Sequence, residues 1–332
     1  MMIPLQTRPL GRSGLHTAPL ALGGNVFGWT ADEHISMRVL DAFVGDGFNL
    51  IDTADVYSRW VAGHKGGESE TILGRWLKRS GKRERVLIAT KVGKPMGDEG
   101  SGRTGLSRRW IRQALHESLQ RLQTEHIDLY QSHADDPETP LEETLAAFGE
   151  LIKEGKVRAI GASNFTAPRL AKALATSERL GLPRYETLQP LFNLSDRAPF
   201  EADLQTLCVQ QGLGVINFFG LARGFLTGKY RGEADLAKSP RGGGVKGYLD
   251  GRGLGILAML DTVAAECGAT PAQVALAWQL LQPGISAPIV SATSMVQWQQ
   301  LAGAARLVLT PNQASRLSAA SAASTGPEAA AA

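Results

Sequence analysis

The chain has 332 residues, 43% hydrophobic and 20% charged, values of an ordinary soluble globular protein that exclude a disordered or fibrous polymer. Its 35 basic and 32 acidic side chains leave a net charge of only +3, too weak and diffuse to announce a nucleic-acid or membrane-surface partner, so a small-molecule role is expected. Cys208 and Cys267 are the only cysteines, too few for a disulfide framework or a cysteine-based zinc site, which points to a reducing cytoplasm.

Met1 to Leu10 holds Pro4, Arg8 and Pro9 and no apolar run of signal-peptide length, and no stretch nears about 18 uninterrupted apolar residues, so neither secretion nor a membrane span is expected. Arg8 to Leu10 and Leu15 to Thr17 flank Gly11-Arg-Ser-Gly14, a turn able to supply positive φ, and read as a hairpin. From Pro19 on, short apolar runs alternate with amphipathic stretches, the pattern of βα units feeding a parallel sheet. There are eight such runs: Leu20 to Gly23, Phe48 to Ile51, Val86 to Thr90, Ile127 to Gln131, Val157 to Gly161, Glu186 to Gln189, Gly214 to Asn217 and Ala287 to Val290. Among the intervening helices, Ser107 caps Arg108 to Gln123, Thr139-Pro140 starts Leu141 to Glu154, and Thr270-Pro271 opens one reaching Leu281. Gly220 to Gly253 is long, basic and rich in glycine and reads as a mobile functional loop after the seventh strand. The Ala/Ser-rich stretch 318–332 reads as a frayed tail behind a single domain over 1–317.

Eight β-runs separated by helices predict an α/β fold, a (β/α)8 TIM barrel with an N-terminal β-hairpin and a long loop after strand 7. An open doubly wound sheet is the competitor, but after Leu20 to Leu22 the chain reads Gly-Gly-Asn-Val-Phe-Gly rather than the dinucleotide fingerprint. In a barrel the reactive groups come from the carboxyl ends of the strands. Asp52, Lys91, His133, Ser163-Asn164 and Gln189 all stand there, with Tyr57 five residues past Asp52 on the same loop. A free tyrosine has a pKa of about 10, so proton transfer near neutral pH needs its anion stabilised. A lysine ammonium within reach of Tyr57, held and aimed by Asp52, would do that, leaving His133 to orient a carbonyl. No metal-ligand spacing is present, so a carbonyl polarised by a phenol is the simpler chemistry, and no metal is expected.

Several motifs occur in a fixed order: Asp52-Thr-Ala-Asp-Val-Tyr57, Gly67-Glu68-Ser-Glu70 with Leu73-Gly74, Ile88-Ala-Thr-Lys91, and Ser118-Leu-Gln-Arg121 ahead of Ile127-Asp128-Leu-Tyr130-Gln-Ser-His133. Gly161-Ala-Ser163-Asn164-Phe165, Gln189-Pro-Leu-Phe-Asn193 and Leu221-Ala-Arg-Gly-Phe-Leu-Thr-Gly-Lys229-Tyr230 complete the series. Together they resemble the aldo-keto reductase family over nearly the whole chain. The resemblance implies nicotinamide-dependent reduction of an aldehyde or ketone to an alcohol, with Tyr57 as general acid, Lys91 and Asp52 tuning it and His133 orienting the carbonyl.

It further implies that Ser163, Asn164 and Gln189 hold the nicotinamide carboxamide, that Phe218 stacks on the ring, and that Leu221 and Lys229 lie along the pyrophosphate. Where the family usually carries Tyr-Ser-Pro, this chain has Phe218-Phe219-Gly220. At the adenosine end Ser291, Thr293 and Gln297 fall on the family pattern Gly-x-Arg-x-x-x-Gln, and only Gln297 is retained. Thr293 removes the arginine fork that takes the 2′-phosphate, so NADP is expected with NAD possible, and Arg241, Lys238 or Lys246 could compensate. Read by themselves, Ser163-Asn164 also suits a helix N-cap and Phe218 the barrel core, while Trp29, Trp60 and Trp110 suit a substrate wall or ordinary packing. Two other functions stay open: a cofactor-sensing regulatory subunit, as in relatives that attach to potassium channels, and an NAD-dependent alcohol or sugar dehydrogenase.

Overall fold

The computed structural model describes residues 5–98 and 100–322. In chain order the elements are β1 (Arg8–Pro9), β2 (His16–Thr17), β3 (Ala21–Gly23), α1 (Glu33–Gly45), β4 (Leu50–Asp52), α2 (Glu68–Ser80), β5 (Leu87–Val92), α3 (Arg108–Leu122), β6 (Ile127–Ser132), α4 (Leu141–Lys153) and β7 (Val157–Ser163). The second half consists of α5 (Ala167–Leu180), β8 (Tyr185–Gln189), α6 (Ala198–Glu201), α7 (Asp203–Gln211), β9 (Gly214–Val215), α8 (Gly251–Cys267), α9 (Pro271–Leu280), β10 (Ile289–Val290), α10 (Met295–Ala302) and α11 (Pro311–Ala320).

Strands β3 to β10 form one eight-stranded sheet in the order β10-β3-β4-β5-β6-β7-β8-β9, every neighbouring pair parallel. Its two ends meet: Val215 N donates to Gly284 O, Ser286 N to Val215 O and Ile289 N to Asn217 O. Those bonds curl the sheet into a barrel, whereas an open doubly wound sheet would keep two free edges. Ala21, Leu50, Ala89, Leu129, Ala159 and Ile216 point inward, as period-two alternation requires, and fill the lower interior. The hairpin β1–β2 is the floor: Leu10 and Leu15 join that inner cluster, and Pro9 O accepts from Ser286 Oγ. Residues that alternate outward, such as Ile51, Ile88, Tyr130 and Ile160, pack against the helices.

Each predicted run overlaps a strand, but β4, β5, β6 and β7 continue to Asp52, Val92, Ser132 and Ser163, whereas β9 stops at Val215 and β10 starts only at Ile289. Lys91 and Ser163 are therefore residues of the strands themselves and not of the loops beyond them. A polar side chain ends an apolar run in sequence, yet at the top of this barrel the interior itself is polar. Ser107 and Thr270 do cap their helices, Thr270 in a capping box with Gln273. Thr139 does not; its Oγ1 donates to Asp136 Oδ2. Ser163-Asn164 is not a cap either, because Thr166 fills that role for α5 by accepting from Arg169 N.

The segment from Gly220 to Gly253 is a strap of short 3-10 turns anchored by the buried Phe225, Leu226, Tyr230 and Val245. Its glycines are not all spent on freedom. A Cβ on Gly242 would collide with the carbonyl of Leu236, so that position needs a residue without one. The expected tail boundary at 318 falls inside α11, where Ser318 Oγ accepts from Trp278 Nε1. Ser321 is buried as well, and residues 323–332 of the expected tail lie outside the described residues.

Candidate active site

Asp52 ends β4, Lys91 lies in β5 and Gln131 in β6, all pointing into the upper barrel. Lys91 Nζ donates to Asp52 Oδ2 at 2.6 Å, to the Thr53 carbonyl at 2.8 Å and to the Tyr57 hydroxyl at 3.2 Å. Asp52 Oδ1 in turn accepts from Gln189 Nε2 at 2.8 Å and Gln131 Nε2 at 3.2 Å. Three strands thus converge on one carboxylate. Gly161 on β7 makes room for both neighbours: a Cβ there would collide with Thr187 Oγ1 and lie 3.1 Å from Cγ of Gln131, the side chain that reaches Asp52. The His133 ring stands 5.9 Å from that of Tyr57, nearly perpendicular, and its backbone N–H is tied to Val92 O.

The electrostatics are set by this burial. Burial works against the Lys91 ammonium, but Asp52 and Tyr57 outweigh it, and its pKa lies above the ordinary lysine value. For Tyr57 burial dominates the pull of Lys91, with the Asp52 charge adding to it, so the phenol sits above the usual tyrosine range. Lys91 thus offsets part of the cost of the phenolate without cancelling the effect of burial. Burial, then the Lys91 and Lys94 charges, hold His133 well below the ordinary histidine value, so its imidazole is neutral at pH 7. Its Nδ1 is buried with no hydrogen-bond partner. Asp55, on the same loop as Tyr57, is also buried with neither oxygen bonded, and burial together with Glu70 pushes it well above the carboxylate range.

Glu70 and Arg121 brace this arrangement from behind. Glu70 accepts from Arg121 Nε at 2.7 Å and from Thr90 Oγ1 at 2.6 Å, locking α2, α3 and β5 together beside Lys91. At the mouth, Trp60 meets Tyr57 edge-on at 5.5 Å and Trp29 at 5.8 Å. Trp60 is 49% exposed, so these two indoles wall the approach to the phenol. Trp110 does not join them; it is buried in the outer core under Arg103.

The residues expected at a cofactor fall into three groups. Ser163, Asn164 and Gln189 are together: Ser163 Oγ donates to Gln189 O, and Asn164 Nδ2 donates to His133 O and Ser163 Oγ. Phe218 is half-buried above the inner cluster, and in the strap Leu221 is half-buried and Lys229 exposed. Ser291 Oγ donates to Asn25 Oδ1, while Gln297 folds back to accept from Thr293 N and Oγ1. Of the three proposed substitutes for the missing arginine, Lys238 is engaged by Asp235 and Lys246 by Glu233; Arg241 has no carboxylate partner among the described residues. Gln131 is the residue that sequence reasoning missed. The signal was present, since Leu129 and Gln131 alternate on one face of β6 and His133 keeps the same spacing just past its end. No cluster of three or more metal-ligating side chains occurs among the described residues, and no single helix among them is long and apolar enough to cross a membrane.

A parallel barrel with a buried lysine bonded to a half-buried tyrosine at its mouth fits a nicotinamide-dependent oxidoreductase, and the family that matches the chain is one of oxidoreductases. A profile described as the aldo/keto reductase family matches residues 19–322, and the chain belongs to that family. It is similar to "Uncharacterized oxidoreductase YrpG" of Bacillus subtilis, 36% identical over 293 residues and covering 87% of each chain. "Protein tas" of Escherichia coli is 33% identical over 322 residues, covering 88% of this chain and 91% of that one. A "Putative voltage-gated potassium channel subunit beta" of Schizosaccharomyces pombe is 34% identical over 313 residues, covering 87% and 85%.

Proposed function

We propose that the protein reduces aldehyde or ketone carbonyls to alcohols using a reduced nicotinamide cofactor, with Tyr57 as general acid. The observation that carries this reading is the hydrogen bond of 3.2 Å from the buried Lys91 ammonium to the Tyr57 hydroxyl. When bound, the nicotinamide supplies hydride to the carbonyl carbon. Tyr57 gives its proton to the carbonyl oxygen, and Lys91, kept charged by Asp52, stabilises the phenolate left behind. Gln131 and Gln189 fix Asp52 so that the ammonium stays aimed. Neutral His133 donates a hydrogen bond that orients the carbonyl oxygen without competing for the proton.

The chain's residues suit such a cofactor. Phe218 offers a half-buried ring at the barrel mouth, and Ser163, Asn164 and the Gln189 oxygen stand together for a carboxamide. Lys229, exposed with its ammonium 4.9 Å from the Tyr230 ring centre, suits a diphosphate beside Leu221. Ser291, Thr293 and Gln297 receive the adenosine end; with no arginine there and no acidic side chain to repel a phosphate, NADP is favoured modestly over NAD.

The potassium-channel relative keeps a cofactor-sensing regulatory subunit in view. A binding module has no need of a phenol, ammonium and carboxylate joined in one buried chain, and that chain favours catalysis. A panel of aldehydes, ketones and sugars, assayed with NADPH and NADH by loss of the reduced nicotinamide's absorbance, tests the proposal. Consumption that depends on Tyr57 supports it; none with any carbonyl, despite measurable cofactor binding, would leave the regulatory reading.

A further inference from the structure

Around the chain that follows β9, three side-chain amides are buried where apolar groups would fill the space: Asn193, Asn217 and Gln279 are each 0% exposed. Gln279 Nε2 donates to the Gly220 carbonyl at 2.7 Å and to Ala275 O at 3.0 Å, and its Oε1 accepts from Asn217 Nδ2 at 2.7 Å. Asn217 Nδ2 also reaches Phe192 O at 2.7 Å, and Asn193 Nδ2 donates to Phe219 O at 3.0 Å. As packing this is unfavourable in one respect, because Asn217 Oδ1 is buried with no partner among the described residues. What the amides fix is the backbone at 218–220. Phe218 N is held by Pro190 O, and the next two carbonyls are held by Asn193 and Gln279. Phe219 stands at a φ of 54°, which a residue with a side chain adopts only where its surroundings impose it. A Cβ on Gly220 would lie 3.0 Å from Gln279 Oε1, so this glycine leaves the room in which the amide lies.

We infer that Gln279, with Asn217 and Asn193 beside it, is a positioning residue for the nicotinamide end of the cofactor. It acts through Gly220 and Phe219 to set the plane of Phe218, and it touches neither cofactor nor substrate. A ring that receives another by stacking must hold its tilt and depth, and Phe218 is only half-buried, so its own packing does not do this alone. The backbone held on both sides of it does, and Phe219, edge-on to Phe218 at 5.2 Å, passes the constraint from ring to ring. The residues expected at the adenosine end bond elsewhere, Ser291 to Asn25 and Thr293 to Gln297, so the network should act on one end of the cofactor only. This inference rests on the reductase reading, in which the nicotinamide lies on Phe218.

The test is a calorimetric titration of NADPH and of 2′,5′-ADP, which carries only the adenosine end, into wild type, Q279L, F218A and the double variant. Q279L should weaken NADPH by about three- to tenfold, the worth of a misaligned stacking contact, and leave 2′,5′-ADP unchanged. In the F218A background Q279L should add nothing, because no ring is left to aim. G220A crowds the amide without removing it and should show the same selective loss in milder form, which decides the question even if Q279L does not fold. Equal weakening of both ligands would overturn the inference, since a loosened barrel and not a misplaced ring would then be the cause. Losses in Q279L and F218A that simply add would overturn it too. If wild type binds no nicotinamide cofactor, the reductase reading falls and this inference with it; if NADPH binds equally well to wild type, Q279L and G220A, the inference alone falls.

Discussion

Lys91 Nζ stands 2.6 Å from Asp52 Oδ2, and the two side chains are 0% and 2% exposed. A pair buried this completely is costly to break from one side, because the remaining charge has no water to turn to. D52N should therefore destabilise the fold by about 3–5 kcal/mol, and the D52N/K91M double variant by less than the sum of the single changes. Urea titrations of the four proteins measure this. A D52N protein as stable as wild type would mean that the pair is hydrated in solution.

Y57F should abolish carbonyl reduction while sparing cofactor affinity, because the hydroxyl transfers a proton and the ring, wedged against Trp60 and His133, keeps its place. Loss of a positioned proton donor costs a factor of about 10² to 10⁴. Turnover and cofactor quenching of tryptophan fluorescence should be read on the same sample, and wild-type turnover would remove Tyr57 from the mechanism.

The pH profile should be asymmetric between directions. Burial places the Tyr57 pKa above its ordinary value, so the phenol is protonated throughout the neutral range. Reduction, which needs the proton present, should be flat through neutrality and fall only in strong alkali. Oxidation of the alcohol product, which needs the phenolate, should climb steadily with pH. His133 is held well below the usual histidine range, so neither profile should bend near the ordinary histidine value of about 6.5. An inflection there that disappears in H133N would show the imidazole titrating.

Two adjacent glycines of the strap should respond oppositely to alanine. G242A forces a Cβ into the Leu236 carbonyl, whereas a Cβ at Gly243 meets nothing within 4 Å. G242A should cost about 1–3 kcal/mol, and G243A should be neutral or stabilise by up to about 1 kcal/mol through the unfolded chain. Hydrogen exchange of 220–253 with and without cofactor extends the test, since a lid that closes on the cofactor should gain protection; equal exchange in both states would make the strap a fixed wall.

T293R should raise affinity for the phosphorylated cofactor selectively, by about ten- to hundredfold, if the 2′-phosphate lies at the start of α10. The wild-type protein, with Thr293 bonded to Gln297 instead of offering a cation, should discriminate between the two cofactors by less than about 10³-fold. Dissociation constants at fixed ionic strength decide both points. No change in T293R would locate the phosphate elsewhere.

The eight strands and the reactive set at their ends were legible in the sequence for a local reason. Parallel strands covered on both faces must be short continuous apolar runs, and in a barrel the residues just past them face the mouth. Asp52, Tyr57, Lys91 and His133 could therefore be named from order and spacing. What needed the closed barrel was everything that depends on distance across it. Gln131 and Gln189 reach the same carboxylate from strands 79 and 137 residues away, and no local pattern foretells that meeting. The sign of the Tyr57 shift depends on how far burial outweighs one ammonium, and burial is a property of the packed site. In the strap the composition suggested looseness, while tertiary contact showed Gly242 held close against a neighbouring carbonyl and Arg241, alone of the three cations proposed to replace the lost arginine, left without a carboxylate among the described residues. Local sequence decides which chemical groups are present and on which element each stands; the fold alone decides how deeply each is buried and which charge it meets.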